Sequence, residues 1–283
     1  MPVAQQIYSS KIKIRIEKGW FIMKQEIKTN DILPNVVFKT KNIIIQRIKE
    51  GSNKKCLLIG KGNSLSVNEN NEIVSHDPGM KNFEVDFDTD ATVYTFYFTF
   101  ECAGLTISSE EITNFVNNLS DSFNQIYLIG HSKCGPCLYK TTELCNRKVN
   151  LITISSPFKG TKVADKSMME KELKYKLLIN FYNKIFSNHN VDKDIAPNSE
   201  FIKNFTLSKL ENHINITASL DHLTSCEDLI DLFLYFFNKV MKINGDGIVP
   251  LESQELNNVE TYHISGSHDK TLKLGINKIK NLK

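Results

Sequence analysis

The chain has 283 residues, of which 41% are hydrophobic and 24% are charged. This length and composition are typical of a globular protein with room for one large α/β domain and a sizeable core. The 35 basic residues nearly balance the 32 acidic residues, which gives a net charge of only +3. Because the lysines are also scattered, the sequence does not indicate a nucleic-acid-binding surface.

The cysteine pattern and the lack of targeting segments bear on the compartment. Six cysteines are too few for the dense disulfide framework of a small secreted domain. No apolar run reaches the roughly 18 residues that a membrane-spanning helix needs. The first residues lack the apolar core and the cleavage site of a signal peptide. We therefore expect a cytoplasmic protein, while export by a route that needs no such signal stays open.

Residues 1–22 differ in character from the rest of the chain. The segment Met23-Lys24-Gln25-Glu26-Ile27 has the pattern of a natural start. Upstream, Glu17-Lys18-Gly19 can be encoded by a purine-rich run that resembles a bacterial ribosome-binding site. We therefore hypothesise that residues 1–22 are a non-native or disordered extension and that the domain spans residues 23–283. A peptide covering residues 3–11 in the native protein, detected by mass spectrometry, would contradict this.

Several early segments predict strands. Residues 36–38 and 42–48 predict an antiparallel pair separated by a polar turn. The short apolar segment 56–59 predicts a buried strand that ends at Gly60-Lys61-Gly62. Residues 63–90 are polar and show no helical period. The β-branched and aromatic content of residues 92–98 predicts the next strand.

A helix and then a strand-to-helix turn are predicted next. Ser108 and Glu111 have the spacing of a capping box, which predicts a helix from Ser108 with apolar residues at helical spacing. After it, the apolar run from residue 125 ends abruptly in Gly130-His131-Ser132. A buried strand that feeds a serine into a tight turn would hold the Ser132 hydroxyl above the sheet edge. The amides of the following helical turn would point towards an oxyanion formed there.

The segment Gly130-His131-Ser132-Lys133-Cys134-Gly135 resembles the nucleophile turn of the α/β-hydrolases, among them the lipase-like members with Gly-His-Ser-x-Gly-Gly. The resemblance implies a mostly parallel sheet flanked by helices, with Ser132 as the nucleophile. It implies oxyanion donors at the Lys133 amide and in the loop after the 56–59 strand, where Lys61 stands and the family's usual histidine is missing. Cys134 departs from the family glycine, so we expect a slightly wider turn at that residue.

The same stretch allows two rival interpretations. Cys134-Gly135-Pro136-Cys137 has the C-x-x-C form of thioredoxin-like dithiol enzymes, in which a helix N-terminus lowers the pKa of the first thiol. However, a thioredoxin fold would leave most of the chain unexplained, and two cysteines simply packed in a helix's first turn is the plainer interpretation. A catalytically degenerate hydrolase that only binds is also open, because the departures at Cys134 and Lys61 both touch the oxyanion donors.

Two downstream segments also resemble the lipase-like hydrolases. After a predicted strand at residues 151–154, residues 155–165 are similar to the family's Thr-Pro-x-x-Gly-Thr-x-x-Ala-Asp. Residues 194–202 are similar to a cap segment of the family, and we expect a helical cap at about residues 163–243, with a strand returning at residues 214–219. Within this range residues 229–237 are apolar nearly all round. They are either buried in the body or part of a mobile lid that meets acyl chains or a lipid surface.

The acid and the base are expected near the C-terminus. Residues 244–250 resemble the lipases' Asn-Asp-Gly-Val-Val-Pro, which predicts Asp246 as the acid that orients a histidine. Asp221, directly after the strand at residues 214–219, is the alternative acid. His268 follows the last predicted strand in a loop and is predicted as the general base, whereas His263 points from that strand.

The order Ser132, Asp246, His268 matches the hydrolase order of nucleophile, acid and base. Together these segments predict one α/β-hydrolase domain that hydrolyses a carboxylic ester. A lipid or another small acyl ester is favoured because the resembling segments are lipase-like and the cap is apolar, and transient contact with a lipid surface through the cap is possible. The implied reaction needs neither a metal nor an organic cofactor, and no nucleic acid takes part.

Overall fold

The computed structural model describes residues 12–17, 20–25, 31–51, 54–76, 90–165, 190–206, 210–226, 229–241 and 244–280. Near the N-terminus, β1 (Ile12–Glu17) and β2 (Trp20–Gln25) form an antiparallel pair. This pair extends across the start predicted at Met23, and the nature of residues 1–22 stays a prediction.

A larger sheet contains the other strands of the described residues. They are β3 (Val36–Lys39), β4 (Ile43–Lys49), β5 (Lys55–Val67), β6 (Ile73–His76), β7 (Thr92–Phe98), β8 (Gln125–His131), β9 (Val149–Ile154), β10 (His213–Ser219) and β11 (Glu260–Ser265). The described α-helices are α1 (Leu105–Asn117), α2 (Cys134–Leu144), α3 (Asn190–Asp194), α4 (Glu200–Lys203), α5 (Leu229–Met241), α6 (Leu251–Gln254) and α7 (His268–Lys280).

The strand order along the larger sheet is β11-β10-β9-β8-β5-β7-β4-β3, and β6 pairs with the outer part of β5. In this order, every neighbouring pair from β11 through β5 to β7 is parallel. At the other end of the sheet, β4 pairs with β7 and β3 pairs with β4, both in the antiparallel direction. The predicted mostly parallel sheet with flanking helices is therefore confirmed.

Two hydrophobic layers cover the sheet because side chains alternate along each strand. Leu58 and Leu128 belong to the larger core, together with residues of α1 and α2. Their neighbours Ile59 and Ile129 belong to a second core with Leu272 of α7. Helices on both faces thus bury the central residues of β5 and β8, which explains their apolar runs.

The connections from β5 locate a crevice at the sheet edge. The chain leaves β5 for β7 on one side, and it returns through α1 to β8 on the other side of β5. In open α/β sheets such a reversal opens a crevice outside the carboxyl ends of the strands, where ligands bind. Ser132 comes directly after β8 and so lies at this edge.

Helix α1 begins earlier than the capping box predicts. Its first residue is Leu105, whose N–H donates to Asp194 Oδ2 at 2.6 Å. Ser108 lies inside the helix, and its hydroxyl donates to the Gly104 carbonyl at 2.9 Å. The Glu111 carboxylate binds the side chains of Thr40 and Asn42 instead of a helix end. A distant carboxylate therefore replaces the local cap.

Strand β5 is longer than predicted. Pairing with β7 stops at Gly60 and resumes at Ser64 with a shifted register, and Gly62 between them has φ 88°. The glycines form an irregularity inside the strand rather than its end. The outer half of β5 then pairs with β6, a strand in the region without helical period.

The interval predicted as a cap, residues 163–243, contains a sheet strand, because β10 lies between β9 and β11. Residues 166–189 lie outside the described residues, and the cap stays a prediction. The apolar segment 229–237 falls in α5, where Leu234 packs with Ile248 and Val249 while Phe236 is exposed. Among the described helices, none has both the length and the apolar character needed to cross a bilayer.

Candidate active site

Ser132 occupies a sharp turn between β8 and α2. Its φ is 55°, in the left-handed region that side chains other than glycine seldom adopt. The Ser132 N–H donates to the Ile154 carbonyl at 3.0 Å, and the Gly135 N–H donates to the Ser132 carbonyl at 2.9 Å. These bonds hold the strained residue in place, as expected of a strand-to-helix turn that presents a hydroxyl.

Small residues allow α2 to approach the sheet closely. A Cβ added at Gly130 would lie 2.7 Å from the Cys134 carbonyl oxygen, and one added at Gly135 would lie 2.0 Å from Ser156 Oγ. Cys134 stands where the resemblance called for glycine. Its sulfur lies against β5, where a Cβ added at Gly60 would be only 2.6 Å away. The glycine on the neighbouring strand thus makes room for the thiol.

Asp246 and His268 form a buried hydrogen-bonded pair. His268 Nδ1 lies 2.7 Å from Asp246 Oδ2. The other carboxylate oxygen accepts the backbone N–H groups of Ile248 at 3.0 Å and Val249 at 2.8 Å. His268 is the first residue of α7 rather than a loop residue, and its own N–H donates to the Asp246 carbonyl at 2.9 Å.

Burial and neighbouring charges shift the pKa of His268 in opposite directions. Burial, the largest influence, lowers the pKa of the imidazole, but the charge and hydrogen bond of Asp246 and the charge of Asp269 together outweigh it, so the pKa of His268 lies above its ordinary value of 6.5. Because a carboxylate accepts from Nδ1–H, the neutral ring has its lone pair on Nε2. His268 is therefore prepared to take a proton at Nε2.

His131 packs directly on His268, with ring centroids 4.6 Å apart. Its Nδ1 lies 3.0 Å from the Lys61 carbonyl oxygen, and its Nε2 lies 2.9 Å from Thr271 Oγ1 and 3.0 Å from the His268 carbonyl oxygen. Complete burial lowers the pKa of His131 to about 3. The residue before Ser132 therefore stays neutral and contacts both β5 and α7, a role the sequence did not reveal.

The two lysines predicted as backbone donors, Lys61 and Lys133, both lie near the turn of Ser132. The irregularity of β5 at Lys61 is close to the serine, since a Cβ added at Gly62 would lie 3.4 Å from Ser132 Cβ. Lys133 precedes the first residue of α2, and its side chain is turned into the protein. The Lys133 Nζ lies 2.6 Å from Asp192 Oδ1 and 5.8 Å from the centre of the Phe98 ring.

Asp221 belongs to another cluster. Its carboxylate accepts a hydrogen bond from the Ser219 hydroxyl, which also lies 2.9 Å from His263 Nε2. His263 Nδ1 contacts the Thr217 hydroxyl at 3.1 Å. The alternative acid is thus connected with His263, while Asp246 is the carboxylate bonded to His268.

The thiols at Cys134 and Cys137 are fully buried and free. Burial raises the pKa of both well above the ordinary value of a thiol. A dithiol enzyme needs the opposite shift at its first cysteine, so the environment opposes the thioredoxin-like interpretation. Within the described ranges, no three His, Cys, Asp or Glu side chains form a group that could hold a metal ion.

Gln254, which sequence reasoning did not single out, holds the loop of Asp246. Its Nε2 donates to the carbonyls of Ala218 at 3.0 Å and Val249 at 2.9 Å, and its Oε1 accepts the Ala218 N–H at 2.7 Å. A buried glutamine that binds the backbone in this way acts as a short additional strand partner. The only sequence signal was its position just after the Asp246 loop.

Comparisons with known proteins identify the fold. No family model matches the sequence, and no curated protein matches it. Among solved structures, the mature form of a Bacillus licheniformis lipase is similar with a TM-score of 0.56 and 11% identity, covering 87% of this chain and 99% of that chain. The propeptide form of that lipase gives a TM-score of 0.54 and 10% identity, covering 87% and 53%. This protein therefore has the α/β-hydrolase fold.

Proposed function

We propose that this protein is a serine hydrolase that cleaves a carboxylic ester of a small molecule. The observation that carries the proposal is the buried pair of His268 and Asp246, which contacts the turn of Ser132 through the ring of His131. A charge-stabilised imidazole beside a serine on a strained strand-to-helix turn is the arrangement that activates a hydroxyl.

The reaction follows from these positions. Ser132 Oγ attacks the acyl carbon while His268 Nε2 takes the hydroxyl proton, and Asp246 stabilises the resulting imidazolium. The amides of Lys133 and Lys61 donate to the oxyanion of the tetrahedral intermediate. His268 then protonates the leaving alcohol, and a water molecule activated by the same ring hydrolyses the acyl-enzyme.

The favoured substrate is a lipid or another acyl ester. The lipase-like segments of the sequence support this choice, and the two similar structures named above are forms of one lipase. Contact of a cap with a lipid surface belongs to the same proposal. On this view the cap shields the acyl-enzyme from water until the alcohol has left.

A fluorophosphonate probe tests the proposal. We expect a covalent adduct on Ser132 in the wild-type protein, located by peptide mass spectrometry, and none in Ser132→Ala or His268→Ala. Ser219→Ala is the matched control, because the Ser219 hydroxyl also contacts a histidine but is fully buried. This variant should be labelled like the wild type.

The opposite result is equally clear. If the folded wild-type protein forms no adduct, with or without detergent to open a lid, Ser132 is not an activated nucleophile. That outcome would favour a degenerate hydrolase that only binds.

A further inference from the structure

Building on the proposed function, we propose that helix α5 is a brace for the acid–base pair, in which Asp231 and Asn238 are positioning residues. Their side chains bind the elements that carry His268 and Asp246, respectively. By holding both elements, they keep the pair in place beside the nucleophile. The sequence left open whether the apolar segment 229–237 is buried in the body or is a mobile lid, and on this view the inner face of α5 belongs to the body.

The inner face of α5 is formed by three buried side chains. Asp231, Leu234 and Asn238 are 1%, 3% and 4% exposed, whereas Phe236 is 54% exposed. Residues at i, i+3 and i+7 lie on one side of a helix, and the first and the last are about 10 Å apart along its axis. A carboxylate and a carboxamide are rarely buried on so apolar a helix unless each has a partner.

The first end of this face binds the helix of the base. Lys270 Nζ lies 2.5 Å from Asp231 Oδ2. Lys270 is two residues after His268, in the first turn of α7. The ion pair therefore fixes the part of α7 that presents the imidazole.

The other end of the face binds the loop of the acid. Asn238 Nδ2 donates to the Gly245 carbonyl at 2.9 Å. One turn earlier, Leu234 lies so close to the loop that a Cβ added at Gly247 would be only 2.8 Å from Leu234 Cβ. Helix α5 therefore contacts the residues on both sides of Asp246.

These contacts close a ring of connected elements. The bonds between Asp246 and His268 join the loop to α7, and α5 joins the same two elements a second time. A pair connected at one place can swing as a unit, whereas a second connection through a helix prevents the swing. Leu234 also packs with Leu220, which follows β10, so the ring rests on the carboxyl edge of the sheet where Ser132 lies.

Asn238 separates a positioning role from a stabilising one. Within the described part of the chain, its buried Oδ1 is without a hydrogen-bond partner. Because a half-satisfied buried amide costs stability, leucine at this position should be nearly neutral for the fold. The Gly245 carbonyl would still accept the Leu220 N–H at 2.8 Å. What leucine would lose is the bond that ties the acid loop to α5.

A displaced pair should act on the chemical step. His268 can take the Ser132 proton only at hydrogen-bond distance, and a misplacement of about 1 Å can cost about 100-fold in rate. Substrate binding uses other contacts, so KM should change little. Because Asp246 and His268 would move together, Asp246 would still raise the pKa of His268, and the acidic limb of the kcat profile should stay in place.

Two variants test the brace with a soluble p-nitrophenyl ester and the fluorophosphonate probe. Asn238→Leu removes one connection, and the double variant Asp231→Leu/Lys270→Met removes the other together with both of its charges. Lys270→Arg keeps the ion pair and is the conservative variant. Lys239→Gln is the matched control, because it changes the neighbouring, exposed residue of the same helix at similar helix propensity.

We expect Asn238→Leu and the double variant to lower kcat and the rate of fluorophosphonate labelling by about 10-fold to 100-fold, with KM and the acidic limb unchanged. The midpoint of thermal unfolding of Asn238→Leu should stay close to that of the wild type. Lys270→Arg should retain most of the activity, and Lys239→Gln should behave like the wild type.

Four results would overturn the inference. An active wild type with an unchanged kcat in either folded variant contradicts the brace alone. A raised KM at unchanged kcat would show that α5 acts on substrate access, as a lid does. Equal losses of kcat in Asn238→Leu and Lys239→Gln would indicate a general effect on the helix. A wild type that hydrolyses no ester and forms no adduct removes the proposed function and the brace with it.

Discussion

Asp246 is bound to His268 twice, once through its side chain at 2.7 Å and once through its backbone carbonyl at 2.9 Å. The acid therefore fixes both the ring of the histidine and the start of α7 that carries it. Any movement of the loop at residues 245–250 would displace the acid and the base together, so their relative geometry is preserved.

Asp246→Asn should lower kcat by about 10,000-fold, because an amide nitrogen facing Nδ1 favours the wrong tautomer of His268. A second effect concerns pH. The base works when neutral, so activity is lost as the pH falls through its pKa. Without the carboxylate, burial and the charge of Lys61 lower the pKa of His268 and only the charge of Asp269 raises it, so this pKa falls. The acidic limb of the kcat profile should therefore move to lower pH, and a limb that stays in place would contradict the assigned pair.

Gln254→Leu should destabilise the protein by about 1–3 kcal/mol, because the backbone groups of Ala218 and Val249 lose a buried partner. Since the Val249 N–H donates to Asp246, kcat should fall as well. Urea unfolding and ester hydrolysis measure the two effects. Gln125→Leu, at an exposed position, should change neither. Loss of stability at unchanged kcat would show that Gln254 does not position the acid.

Gly60→Ala should destabilise the protein, because the added Cβ would meet the Phe96 ring at 2.3 Å and the Cys134 sulfur at 2.6 Å. Removing the sulfur relieves only one of these contacts. In a double-mutant cycle with Cys134→Ala, we expect a favourable coupling of about 0.5–3 kcal/mol in the free energy of unfolding. Strict additivity would show that the sulfur does not occupy the room beside Gly60.

The thiols of Cys134 and Cys137 should react slowly with iodoacetamide in the native protein at neutral pH. Both are buried, and their raised pKa leaves almost no thiolate. Cys145 and Cys226, which are partly exposed, should be labelled first. Peptide mass spectrometry before and after denaturation gives the comparison. Rapid labelling of Cys134 in the folded protein would revive the dithiol interpretation.

Asp192→Asn should destabilise the protein by about 1–3 kcal/mol, since it removes the carboxylate that lies 2.6 Å from the buried Lys133 ammonium. Asp192 is partly exposed, and solvent reduces the effect below that of a fully buried pair. Lys133→Met in the same background should restore stability, because no buried charge remains. Thermal unfolding checks this, and a double variant less stable than Asp192→Asn would contradict the ion-pair argument.

Local sequence patterns predicted the parallel strands well. Strands such as β7 and β8 are buried on both faces, so an apolar run is sufficient evidence for them. The turn at Ser132 was predictable for the same reason, because its glycines and its serine are neighbours in the chain. Asp246 and His268 depended on the resemblance, and the structure then joined them.

Features that depend on contacts between residues far apart in the sequence could not be predicted. Ser108 and Glu111 have the spacing of a cap, but the partner of the α1 start is 89 residues downstream. His131 contacts Lys61 and Thr271, which are 70 and 140 residues away, so nothing around it in the sequence suggests its role. The continuation of β5 through Gly60 and Gly62 was hidden because two glycines usually end a strand.

The bond between Asp194 and the first N–H of α1 also affects the order of folding. During synthesis the start of α1 is made well before Asp194, its capping residue, which lies 89 residues downstream of Leu105. Helix α1 can pack early through its apolar face, but its first turn is completed only when α3 arrives. The start of α1 should therefore be among the last parts of the core to become protected from hydrogen exchange during refolding.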